Sequence, residues 1–209
     1  MRYGELMFGE FLRKRDRKRL KNDSFSFLFD ASPNDEIVVY DTETTGLNPK
    51  KDEILSIGAV KIKDNKILTS EKFEIFIRPS KEIDEESIKI HYIRNIDLQN
   101  GSKPQEAIDR FLHFIGNRTL VGYYLEFDVK MINRYLKPYL GIKLPNRQIE
   151  VSQIYHRKKR RSIPDGRIDL RFDSIMKDLD LPIFGKHDAL SDAIMTAMMY
   201  IKLQNIEHI

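Results

Sequence analysis

The chain has 209 residues, 33% of them charged, a formal net charge of +4 and no cysteine. A chain of this length buries a large core without disulfides, and the lack of cysteine excludes thiolate metal sites, thiol catalysis and disulfide bonds. No uninterrupted apolar run approaches the roughly 18 residues of a membrane span, and the first residues lack a continuous apolar signal-peptide core, so a cytoplasmic protein without a membrane span is expected.

The charge is uneven along the chain. Residues 1–22 hold eight Lys or Arg and three acids, a net +5, which leaves −1 for residues 23–209. Within this arm Leu6, Met7, Phe8, Phe11 and Leu12 fall at the spacing of an apolar helical stripe. A nucleic-acid tether, a helix that docks a polymerase or other protein, a membrane-surface helix and a solvated arm all fit that composition. The expected division is a basic N-terminal extension over 1–35 and a catalytic domain over 36–209.

Residues 37–40 (IVVY) read as a short buried strand, followed at once by Asp41-Thr42-Glu43-Thr44-Thr45-Gly46. Carboxylates two residues apart on a strand project from one side of it, and such close like charges repel unless a cation lies between them. Hard oxygen ligands suit magnesium or manganese. Residues 54–63 and 67–78 read as two further strands, joined around Asp64-Asn65, a hairpin signal. Glu86 and His91 then stand five residues apart. Pro104 opens a helix whose apolar positions Ala107, Ile108, Phe111, Leu112 and Ile115 keep helical spacing up to Gly116.

A fourth strand is predicted over 120–123, then a helix in which Phe127, Met131, Ile132, Tyr135 and Leu136 share a face. Asp128 falls in its first turn, near the positive end of the helix dipole. The basic run Tyr155-His156-Arg157-Lys158-Lys159-Arg160-Arg161 precedes a Pro- and Gly-containing segment and reads as a loop, suited either to guiding a phosphate backbone or simply to solvent. His187 follows Phe184-Gly185-Lys186, a loop, and Asp192 lies inside a helical run over 189–203. Asp188 reads as an exposed neighbour of His187. Met195, Met198 and Met199 read as core packing on that last helix.

Asp41-x-Glu43, Phe127-Asp128 and His187-x4-Asp192 together resemble the three exonuclease motifs of the DEDD superfamily. The five-residue step from His187 to Asp192 matches its histidine-type branch, which includes the proofreading epsilon subunit of bacterial DNA polymerase III. The tyrosine-type branch would place Tyr where this chain has Asp188. The resemblance covers about residues 36–203 and implies an α/β fold, a ribonuclease H-like mixed sheet flanked by helices. The order of predicted strands and helices fits that sheet.

The resemblance further implies two Mg2+ or Mn2+ ions held by Asp41, Glu43, Asp128 and Asp192, with Asp41 bridging both and His187 as general base. An imidazole suits that task because its ordinary pKa lies near neutrality. Glu86 and His91 match a pair that contacts the 3′-terminal nucleotide in epsilon-like enzymes, and Thr42, Tyr124 and Phe127 are further substrate-binding candidates. Two departures stand out. Tyr92-Ile93 follows His91 where the family usually has Gly-Ile, and Tyr123-Tyr124 replaces a His-Asn pair. Tyrosines offer stacking faces to a single-stranded base instead of an amide's hydrogen bonds.

The expected activity is metal-dependent release of nucleoside monophosphates from single-stranded DNA 3′ ends, in proofreading or repair. A 3′ exoribonuclease and a non-catalytic module that binds nucleic acid or a polymerase are the alternatives.

Overall fold

The computed structural model describes residues 13–31, 35–164, 166–185 and 187–207. The apolar stripe of Leu6 to Leu12 lies outside them. The elements run β1 (Glu36–Thr44), β2 (Ile54–Lys63), β3 (Lys66–Phe76), α1 (Glu85–His91), α2 (Asn95–Leu98) and α3 (Pro104–Ile115). They continue with β4 (Thr119–Gly122), α4 (Leu125–Leu140), β5 (Gln148–Glu150), α5 (Val151–Ser162), α6 (Phe172–Asp178) and α7 (Ala189–Asn205).

The strands form one mixed five-stranded sheet in the order β3-β2-β1-β4-β5. β1 pairs antiparallel with β2, and β2 with β3, whereas β1–β4 and β4–β5 are parallel. Asp64 and Asn65 both take left-handed backbone, φ 50° and 58°, as a tight hairpin between twisted strands requires. This is the ribonuclease H-like α/β sheet expected from the sequence.

Side chains along β1 alternate between two cores, as strand geometry dictates. Val38 and Tyr40 join Phe111, Leu112, Met131 and Ile132 under α3 and α4. Val39 faces the other way and packs with Val60, Val121, Leu190 and Ala197 under α7. On that second face α7 meets β2 backbone to backbone. A Cβ on Gly58 would stand 2.1 Å from the Leu190 nitrogen, so only glycine admits the helix.

Three segments differ from their sequence-based reading. The basic run Tyr155–Arg161 is helix α5, not loop. Val151, Ile154 and Tyr155 bury one side of that helix, Glu150 caps its start, and Pro164 and Gly166 lie past its end. The strand expected over 67–78 stops at Phe76, beyond which Ile77 forms an isolated bridge with Ser102. The short edge strand β5 was not anticipated, because three residues carry too little periodicity to register.

At the N-terminal side residues 13–19 are helical, and a 3-10 turn over Asp23–Phe29 buries Phe25, Leu28 and Phe29 in the main core. The Lys21 N–H donates to the Leu140 carbonyl at 3.0 Å. The Arg13 guanidinium donates to the carbonyls of Leu28 and Asp30, both at 3.1 Å, and sits over the Phe29 ring.

Candidate active site

Asp41 and Glu43 leave β1 on the same side, and the first turns of α4 and α7 bring Asp128 and Asp192 towards them. Carboxylate oxygens of Asp41, Glu43 and Asp192 lie within 4.8 Å of one another, close enough to share a cation. Asp128 is 4% exposed and accepts a 2.6 Å hydrogen bond from the Thr42 hydroxyl, which points from β1 into α4. Thr42 is itself buried, so its side chain serves Asp128.

The electrostatics of this cluster are those of uncompensated negative charge. Burial, then the neighbouring Asp128, Glu43 and Asp192, push the Asp41 carboxyl well above the usual carboxylate range. Burial, then Asp192 and Asp128, push Glu43 up to about 7. Burial also raises Asp128 to about 7, against the Thr42 hydroxyl, which holds it down. Carboxylates in this state fit a hard divalent cation, whose charge would return all of them to the ionised form. The Tyr40 hydroxyl is buried beneath them without a hydrogen-bond partner among the described residues, and burial together with Asp128 and Asp41 raises its pKa.

A cleft of about 680 Å3 opens over the acids, lined among others by Asp41, Asp192, His187, Tyr123, Arg171 and Phe172. His187 is exposed on the loop before α7, with left-handed backbone (φ 61°). Its N–H donates to Asp192 Oδ2 at 3.3 Å, which ties the loop to the acid. Asp188 is not a bystander. It caps α7, accepting from the Ser191 N–H at 3.0 Å and the Ser191 hydroxyl at 2.6 Å. The cap orients the first helical turn, on which Asp192 sits.

The remaining candidates fall in different places. His91 ends α1 and is 3% exposed. Its Nδ1 accepts from the Ile93 N–H at 3.1 Å, so the ring proton belongs on Nε2, which has no acceptor among the described residues. Burial lowers its pKa, Asp84 opposes that, and the charge of His187 adds to the lowering. Glu86 lies exposed on α1. Phe127 packs part-buried against the main core in the first turn of α4.

Tyr124 is 72% exposed and held at φ 56°, with its N–H donating to Glu150 Oε1 at 3.2 Å and the Leu125 N–H to Glu150 Oε2 at 2.8 Å. Glu150 thus secures the start of α4 from the edge strand. Sequence reasoning missed this residue, since its partners lie 25 and 26 positions away. It also missed Arg171 and Phe172. The only available signal was the amphipathic run that becomes α6, where Phe172 meets Tyr123 edge-on with ring centroids 5.1 Å apart.

Comparison with known structures identifies the architecture as that of the ribonuclease H-like exonucleases. Escherichia coli exonuclease I, solved in complex with a dT13 oligonucleotide, superposes with a TM-score of 0.68 at 15% identity, over 82% of this chain and 41% of that one.

The chain belongs to the exonuclease family RNase_T, whose model matches residues 38–200. It is 32% identical to the DNA polymerase III epsilon subunit of Aquifex aeolicus over 79% of both chains. It is 33% identical to the PolC-type DNA polymerase III of Thermotoga petrophila over 88% of this chain, but spans only 13% of that polymerase. The domain is thus an exonuclease-family domain of the kind that the DNA polymerase III epsilon and PolC-type relatives carry.

Proposed function

We propose that the protein removes nucleoside monophosphates from 3′ ends of single-stranded DNA in a metal-dependent reaction, in proofreading or repair. The observation that carries this reading is the convergence of Asp41, Glu43 and Asp192 within 4.8 Å at the floor of an open cleft. Asp41, Glu43, Asp128 and Asp192 would hold two Mg2+ or Mn2+ ions. When bound, such a pair supplies the Lewis acidity that polarises the phosphoryl group and lowers the pKa of an attacking water.

The side chains supply the rest. His187, at the mouth of the cleft, takes the proton from the attacking water, and its loop position lets it close over the acids when substrate arrives. His91 Nε2–H is a buried donor awaiting an acceptor, and a sugar or phosphate oxygen of the terminal nucleotide meets that need. Glu86, on the same helix, is its partner in that contact. The backbone of Thr42 and the rings of Phe127 and Tyr124 border the nucleotide. The fixed, exposed Tyr124 ring suits stacking on an unpaired base, which favours single strands over intact duplex.

A deoxyribose substrate agrees with the oligonucleotide bound to exonuclease I, and a replicative partner with the polymerase relatives. The basic N-terminal segment is the proposed contact to such a partner, with residues 36–209 as the nuclease. Among the described residues no helix is long and apolar enough to cross a membrane, and a cytoplasmic location suits the proposed role.

The test is a time course on matched 5′-labelled DNA and RNA oligonucleotides with magnesium, manganese or chelator. A metal-dependent ladder that shortens from the 3′ end faster on DNA is expected. Faster shortening of RNA would make the enzyme an exoribonuclease, and binding without shortening would leave a non-catalytic module.

A further inference from the structure

The basic run on α5 is not part of the cleft. The C-terminal half of α5, the start of β5 and the far end of α7 enclose a separate groove of about 470 Å3, lined among others by Arg147, Arg157, Lys158, Arg161, Tyr200 and Gln204. No acid lines it. The parallel strands β1, β4 and β5 carry their C-terminal ends at the active site, so Arg147, just before β5, marks the opposite end of the sheet. Along α7, Tyr200 and Gln204 stand eight and twelve residues beyond Asp192, a distance of ~12 to ~18 Å at 1.5 Å per residue.

The cations here are arranged for an external anion. Lys158 Nζ donates to the Ile206 carbonyl, and Lys159 and Arg160 are engaged with Asp178 and the Pro164 carbonyl. The guanidinium groups of Arg147, Arg157 and Arg161 have no carboxylate partner among the described residues, and all three residues are exposed. Residues 23–209 carry a net −1, so this concentration of positive charge is local.

We infer that this groove is a second nucleic-acid contact, where the phosphodiester backbone of a strand whose 3′ end occupies the cleft is gripped several nucleotides upstream. The inference rests on the exonuclease reading above. Forked guanidinium donors suit phosphate oxygens, Gln204 adds a neutral donor, and Tyr200 offers a ring face to a base. At ~3.4 Å per nucleotide along a stacked strand, ~18 Å corresponds to about five nucleotides. Short oligonucleotides therefore reach only the cleft, and longer ones reach both sites.

The test compares wild type with R157E/R161E, two exposed positions on one helix face, by fluorescence anisotropy of labelled dT3 and dT20 in chelator. Binding of dT20 is expected to weaken about tenfold or more and to lose about 1.4 units of salt slope, as two phosphate contacts predict, while dT3 is unaffected. The equal charge change K66E/K72E, on β3, should leave dT20 binding intact. Unchanged dT20 affinity, or equal weakening of both lengths, overturns the inference. So does displacement of dT20 by polyglutamate at lower concentration than by unlabelled dT20, which would assign the groove to an acidic protein. Hydrolysis of dT3 with magnesium is followed in parallel. Its absence would defeat the nuclease reading without affecting the length-dependent binding.

Discussion

The Thr42 hydroxyl, on β1, donates to Asp128 Oδ1, on α4, at 2.6 Å, and so couples the strand that carries two of the acids to the helix that carries a third. The bond is buried, and it is the leading influence that holds the Asp128 carboxyl down against burial. Thr42→Val keeps the shape and deletes the donor. Above pH 7 it should destabilise the metal-free protein by about 1–3 kcal/mol, the cost of an unsatisfied buried acceptor. The magnesium concentration for half-maximal activity should rise several-fold. Thr42→Ser should restore both, as read by thermal melts and by activity across a magnesium titration.

Burial and then the neighbouring acids push the Asp41 carboxyl well above the usual carboxylate range, and replacing it should separate activity from stability. Asp41→Asn is expected to abolish nucleotide release, because the cluster loses the carboxylate that would hold both ions. The same variant should melt several degrees higher than wild type in chelator, since like-charge repulsion is relieved. Near-normal turnover would remove Asp41 from the reaction.

Stability of the metal-free protein should fall as pH rises. Glu43 and Asp128 titrate near 7 in the folded chain, against about 4 when unfolded. Between those values the native state holds more protons than the unfolded one, so the slope of stability with pH is negative. The penalty is absent below about pH 4 and complete above about pH 8. A melting temperature in chelator that declines across this window, and a decline that millimolar magnesium removes, is the expected pattern. A flat profile in chelator would mean that the acids are already compensated.

Removing the imidazole at the mouth of the cleft should affect turnover, not recognition. His187→Ala is expected to lower kcat by on the order of 10²–10⁴, with KM within a few-fold of wild type. The Asp188 cap and the Asp192 position should survive, because the loop is tied to Asp192 through the His187 backbone N–H. An unchanged rate would mean that another group takes the proton.

The acids were legible from sequence because strand and helix periodicity are local. Asp41 and Glu43 follow an apolar run, and Asp128 and Asp192 fall in helical patterns whose starts are marked. What was not legible depends on contacts far apart in the chain. Glu150 accepts from two N–H groups about 25 residues away, and Thr42 is committed to an acid 86 residues distant. Helix α5 was misread because five consecutive cations and a following Pro outweighed the apolar trio Val151, Ile154 and Tyr155, which only the fold can bury.

Gly58 sets a limit on how this enzyme can vary. Where two layers meet through side chains, their spacing drifts as residues are exchanged, and neighbouring groups adjust. Here, beside the apolar side chains that pack between them, the sheet and the helix that bears Asp192 also touch main chain to main chain at Gly58. A side chain at position 58 would therefore push that helix, and Asp192 with it, away from Asp41 and Glu43. Exchanges elsewhere in that core can be absorbed by repacking, whereas one at Gly58 would widen the gap that would receive the metal ions.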